Sequence, residues 1–169
     1  MTHSRLLRKA LRPEEARFAE ASVTKEEAIS RLTGARVGRI ATVRPDGTPH
    51  VVPFVFALHR DGGGGVRLYW IVDDKRKRTS ELRRLENIRS QPTVEVVVDR
   101  YNDDDWTALW WVRARGRGRL VSSIPERDVA LDALASKYAQ YASVTSAAHV
   151  VAIDVDSVTG WSADDPADR

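Results

Sequence analysis

The sequence has no cysteine among its 169 residues. Disulfides, thiolate metal sites and a cysteine nucleophile are therefore excluded. No run approaches the roughly 20 apolar residues that a membrane helix needs, so no membrane partner is expected. The four histidines, His3, His50, His59 and His149, fall in no HExxH or other metal-binding spacing, and no metal site is expected. There is no GxSxG either, which counts against a hydrolase. Four consecutive glycines, 62–65, have no Gly-Lys-Ser/Thr after them. They read as a flexible turn, not a phosphate loop. The basic N-terminal stretch lacks the continuous apolar core of a secretory signal, and a cytoplasmic chain is the expectation.

What is present is ordinary globular material, 42% hydrophobic and 30% charged. The length suggests one domain, expected over residues 23–163, with an arm at 1–22 and a loose tail at 164–169. The net charge is +3. Much of the basic excess is bunched at 75–84 and 113–119. Bunching favours one or two anion sites over a broad nucleic-acid-tracking face.

Thr24 with Glu27 forms a capping box, opening a helix that stops at Gly34. Strands are predicted at 37–43, 51–58, 66–72, 93–99, 110–121 and 150–155. A helix opened by Thr79 carries Leu82, Leu85 and Ile88 on one stripe and ends before Pro92. Another, opened by Pro125, carries Val129, Leu131, Leu134 and Tyr138. Six strands with helices at their connections predict a mainly β fold, an antiparallel barrel with helical caps.

The chain is organised around residues 36–58, RVGRIATVRPDGTPHVVPFVFAL. Pro45-Asp46-Gly47-Thr48-Pro49 has turn chemistry and joins two strands as a hairpin. The second arm is apolar on both faces, as expected of a strand buried on both sides. Pro53 cannot donate to a ladder, so it marks either a bulge or break beside a ligand or a sheet edge. The pattern A-T-V-x-x-D-G-x-P-H-V-x-P, Ala41 to Pro53, resembles the opening hairpin of the pyridoxamine-phosphate-oxidase-like split-barrel flavoproteins. Within them it is most similar to the branch using the deazaflavin coenzyme F-420.

The resemblance implies a six-stranded split barrel, homodimeric, with a cofactor in a groove touched by both chains. It implies an oxidoreductase transferring hydride between F-420 and an organic substrate. FMN is the alternative cofactor, and a non-catalytic anion- or nucleic-acid-binding dimer the alternative class. The cofactor performs hydride chemistry while protein supplies binding and exclusion of water, so no side chain is assigned a catalytic role. The Arg-Leu-x-Pro tail of true pyridoxamine-phosphate oxidases has no counterpart here, and that activity is not expected.

Asp73-Asp74-Lys75-Arg76-Lys77-Arg78-Thr79 sits where a strand ends and a helix begins, a place that prefers an anion. The residue pattern leaves two readings, a phosphate site or a solvated basic loop. The resemblance favours phosphate held by Lys75, Lys77, Arg78 and Thr79, although similar sequences often carry Pro where Arg76 stands. It also places His50, Val51, Val52 and Pro53 against the cofactor ring; for His50 the alternative is a plain turn-end residue. Trp110 and Trp111 are expected at the dimer groove and in the core, one each, with plain packing as the alternative. Arg113, Arg115, Arg117 and Arg119 share one strand face. They either pair with Glu95 and Asp99 across the sheet or line a groove for the polyglutamate tail of F-420.

Overall fold

The computed structural model describes residues 23–72, 79–143 and 149–163. Helix α1 (Lys25–Gly34) leads into strands β1 (Gly38–Val43), β2 (Pro49–Phe54), β3 (Ala57–Arg60) and β4 (Val66–Val72). Helix α2 (Thr79–Ser90), strands β5 (Thr93–Arg100) and β6 (Trp110–Leu120), helix α3 (Ile124–Lys137) and strand β7 (His149–Ser162) complete the order. The expected arm at 1–22 and tail at 164–169 lie outside the described residues.

The strands form one antiparallel sheet of seven, in the order β2-β1-β5-β6-β7-β4-β3. Its end strands, β2 and β3, are neighbours in sequence, separated by Val55 and Phe56 alone. A flat seven-stranded sheet would be about 29 Å wide. Three residues of extended chain span about 10 Å. The sheet must therefore curl until its two ends meet, and a barrel results.

The barrel interior holds Ile40, Phe54, Phe56, Leu68, Trp70, Val94, Val96, Val98, Val112 and Ile153. Ala28 and Leu32 of α1 and Leu85 and Ile88 of α2 belong to the same core. The apolar stripes of these helices are thus buried as their periodicity requires; the side chain of Leu82 lies outside the described residues. A second apolar cluster sits between β3, β4, β7 and α3, where Ala57, Tyr69, Val150 and Ala152 meet Ala130, Leu134 and Tyr138.

Local chemistry explains the boundaries. Thr24 Oγ1 accepts from the Glu27 amide at 3.2 Å, capping α1 as expected. In the β1–β2 turn, Asp46 accepts from the Thr48 amide at 2.9 Å and Thr48 Oγ1 at 2.6 Å. Gly47 there has φ +84°, which side chains resist. Across the β3–β4 turn, Asp61 fills the glycine amides itself, accepting from Gly63 and Gly65 at 3.1 and 2.7 Å. No room for a phosphate remains in that nest of donors.

Three expectations need correction, and the choice left open at Pro53 is decided. The predicted second arm is two strands, not one, because the chain leaves the ladder at Val55-Phe56 to cross between the sheet's ends; this makes seven strands instead of six. β2 is not buried on both faces: Pro49, Val51 and Pro53 point outward and Val51 is 59% exposed. Of the two readings of Pro53 the sheet edge holds and the bulge does not: it pairs in register with Arg39, and its missing donor is tolerated because β2 ends the strand order. The last strand runs on to Ser162 rather than stopping at Val155. Its register shifts against β6 at Arg115/Gly116, where an irregularity hid the continuation from simple alternation.

Candidate functional site

The face of β2, β1, β5 and β6 that points away from the barrel core carries one set of side chains in register. Val51, Ala41, Glu95 and Arg115 form one row across the four strands. Pro53, Arg39, Val97 and Arg113 form the next. Directly opposed side chains share a face, so an apolar margin on β2 passes into a basic margin on β6. The helices pack elsewhere: α1 and α2 against the core, α3 against β3 and β4.

The arginine row resolves residue by residue. Arg113 Nε is 4.0 Å from Glu95, the cross-strand pairing expected. Asp99 is taken by Arg39 instead. Arg119 binds Glu126 of α3 at 2.6 Å and Asp154 of β7 at 2.7 Å, and Arg67 joins Asp154 at 2.5 Å. The hydrogen bonds from Arg119 hold the Glu126 carboxyl below its ordinary range. Arg115 and Arg117 form no ion pair with described residues, and both are exposed.

His50, on β2, is half-buried at the turn end of the hairpin. The Asn87 side-chain amide of α2 donates to Thr42 Oγ1 at 2.9 Å and faces His50 Nδ1 at 3.4 Å. Thr42 in turn donates to the His50 carbonyl at 3.3 Å. Thr42 and Asn87 are buried polar residues that satisfy one another. With Asn87 donating, Nδ1 accepts and the ring proton sits on Nε2. Burial first, then Arg44, Arg84 and Arg83, push the His50 pKa below its ordinary value. The imidazole is thus kept neutral beside three guanidiniums.

A cleft of about 430 Å³ opens next to this network, lined by Arg44, Pro45, Asp46, Arg83, Glu86 and Asn87. It joins the hairpin tip to α2. The connection between β4 and α2, with Lys75, Lys77 and Arg78, lies outside the described residues; Thr79 opens α2. Sequence reasoning missed Arg44, Arg83 and Asn87. Asn87 left a signal, a polar residue beside Ile88 on the apolar stripe of a helix.

The tryptophans separate. Trp110 packs against the barrel core with the Arg31 guanidinium 5.2 Å above its ring. Trp111 lies on the outward face, in register with Asp99 and Trp161. Trp106 is 71% exposed on a short turn capped by Asp105, which accepts from the Thr107 amide at 3.0 Å. Among the described residues no group of three His, Asp or Glu is placed to hold a metal, and no helix is long and apolar enough to cross a membrane.

A curled antiparallel barrel entered by two helices, with one outward sheet face bare of helices, defines the split-barrel class. The chain belongs to the pyridoxamine 5'-phosphate oxidase family, whose N-terminal-domain pattern it matches over residues 24–162. Among solved structures it is similar to a FAD-binding protein from Mesorhizobium loti at 25% identity, covering 82% of this chain and 93% of that one, with TM-score 0.59. A conserved hypothetical protein from Mycobacterium tuberculosis is 18% identical, covering 86% and 88%, with TM-score 0.66. The heme storage protein HutZ from Vibrio cholerae is 11% identical, covering 83% and 97%, with TM-score 0.58. No curated protein matches.

Proposed function

We propose that this chain is a flavin-type oxidoreductase that works as a homodimer, with F-420 as cofactor and FMN as the alternative. The observation that carries it is the cleft between the hairpin tip and α2. There Arg44 and Arg83 stand beside a neutral His50 and a buried Asn87 amide. The two guanidiniums fit a phosphate, each supplying charge and paired N–H donors. The neighbouring margin of Pro49, Val51 and Pro53 is apolar and open, which fits one face of a flat ring. A FAD-binding relative of the same fold supports the reading.

In this reading Arg44 and Arg83, with Lys75, Lys77, Arg78 and Thr79, hold the phosphate. The backbone from Val51 to Pro53 supports the ring, with His50 at its edge. When bound, the cofactor supplies hydride transfer to or from an organic substrate. The chain's residues orient it and keep water from its covered face. Trp111, outward on β6, belongs at the margin where a second copy closes the groove. Arg115 and Arg117, without ion pairs among the described residues, favour F-420 over FMN, because its polyglutamate tail needs cations along its path.

Titration of the purified protein with F-420, FMN and FAD, followed by tryptophan fluorescence, tests this. Saturable quenching by F-420 and none by FMN is expected. A yellow protein with a flavin spectrum would give the site to FMN. Salt-sensitive binding to duplex DNA, with no response to any of the three cofactors, would replace the reading with a nucleic-acid-binding one.

A further inference from the structure

Strand β7 outruns one of its neighbours. Its residues 149–154 pair with β4 on one side, but from Val155 to Ser162 only β6 accompanies it among the described residues. The free side of that stretch accepts one bond: the Val23 amide donates to the Gly160 carbonyl at 3.3 Å. Gly160 is shaped for this contact. A Cβ there would lie 2.7 Å from Val23 Cγ2 and 2.9 Å from the Trp111 carbonyl oxygen, so the missing side chain is what admits Val23. The chain ahead of α1 therefore reaches the barrel at the free edge of β7, beside Trp161.

The surface around that entry point is aromatic and acidic. Trp161 stands opposite Trp111 on the outward face. The Ala163 amide, just past β7, donates to the Leu109 carbonyl at 2.8 Å, which ties this end of β7 to the β5–β6 connection. In that connection Tyr101 is 68% and Trp106 71% exposed. They flank a turn in which the Asp105 amide donates to the Asn102 carbonyl at 3.3 Å. Asp103 and Asp104 at its tip are exposed and form no ion pair with described residues. Bare aromatic rings beside unpaired carboxylates suit a partner that is both apolar and cationic.

We propose that this surface is covered by the chain's own segment 5–12, RLLRKALR, with Leu6, Leu7 and Leu11 against Tyr101 and Trp106 and its cations against Asp103 and Asp104. The first 13 residues carry four cations, Arg5, Arg8, Lys9 and Arg12, and no acidic residue. Leu7 and Leu11 are four apart, the spacing that puts apolar side chains on one helix face. The tether is long enough. Trp106 lies within about 31 Å of Val23, by two strand spacings, two residues along β7 and four back from Trp110. The eleven steps from Val23 back to Arg12 span up to about 37 Å when extended. Held by so short a tether, the segment meets this surface within its own molecule, where individually weak contacts suffice. The contact stands whether or not a cofactor binds beside α2.

The test uses the full chain. It has no cysteine, so Ala10→Cys takes a nitroxide spin label at one place. Isotope-labelled, spin-labelled chain diluted in excess unlabelled chain reports contacts within one molecule by NMR. Loss of the Tyr101 amide signal and of the Trp106 amide and indole signals is expected, with recovery when the nitroxide is reduced. Asp103→Lys with Asp104→Lys, at exposed positions outside every ladder, should return those signals, and Arg8→Asp with Lys9→Asp in the same chain should remove them again. No loss in the full chain, or a loss that the Asp103 and Asp104 reversals leave unchanged, would overturn the proposal. In the converse mixture the isotope-labelled chain has no nitroxide and the unlabelled chain bears it, and no loss is expected. Loss there would give the surface to the arm of a second copy and overturn the proposal as well.

Discussion

The phenol of Tyr138, just past the end of α3, accepts from the Phe56 amide at 3.3 Å and lies 2.9 Å from the Phe56 carbonyl. It is 2.7 Å from the Arg36 carbonyl as well. Phe56 is fully buried where the chain leaves one end of the sheet for the other. Its backbone has no ladder partner there, so a side chain from 82 residues away takes that role. Tyr138→Phe keeps the ring and removes the partner. A loss of about 1–3 kcal/mol is expected, read from the urea midpoint, with Phe56→Ala costing about 3–5 kcal/mol.

Gly116 sits at the β6–β7 register shift. A Cβ there would lie 2.3 Å from the Asp154 carbonyl oxygen. Backbone must move to admit it. Gly116→Ala should cost about 3 kcal/mol, whereas Gly34→Ala, with open space around it, should stabilise or be neutral. Thermal denaturation of the two variants side by side checks this.

His50 titrates below its ordinary pKa in the folded chain, chiefly through burial. The unfolded chain therefore takes up this proton first as pH falls. The neutral ring's contribution is intact above pH about 6.5 and is lost as pH drops from there through the folded value. His50→Gln should flatten that part of the stability profile, measured by urea midpoints between pH 5 and 7.

Lys137 follows the same sign in a higher window. Its folded pKa is about 8 against an ordinary 10.5. The unfolded state binds more protons between those values, so stability rises with pH across them. The groups facing it are Arg36, the Ala35 carbonyl and two rings. Lys137→Met should remove the rise and add about 1 kcal/mol at neutral pH, a figure discounted for half exposure.

Arg44→Ala with Arg83→Ala should weaken the bound cofactor about tenfold or more while leaving the urea midpoint nearly unchanged, since both line an open cleft. Lys77→Ala with Arg78→Ala should do the same. Unchanged affinity in both pairs would remove the phosphate assignment.

Much of the fold could be read from local chemistry. Thr24 with Glu27, the Asp46-Gly47 turn and the 85, 88 stripe each write their own structure within a few residues. The β2–β3 crossing could not be read that way. Residues 49–60 are a nearly continuous apolar run, and only closure of the barrel decides that Val55 and Phe56 leave the ladder. The outward face of β2 was misjudged for the same reason: apolar residues on both sides of a strand suit burial equally well as an open groove. In the site, His50 and the arginine row were legible because a motif and a period of two mark them. Arg44 and Arg83 were not, because the fold brings them to one cleft from distant parts of the chain.

The β2–β3 crossing has a mechanical side. Every other junction around the barrel is a ladder of backbone hydrogen bonds, as many as eleven residue pairs long between β6 and β7. At this seam the wall is closed by a two-residue tether and a phenol. Loosening it would let the wall part along one line while all the ladders hold, so the first amides to exchange with solvent in the native state should lie beside Phe56.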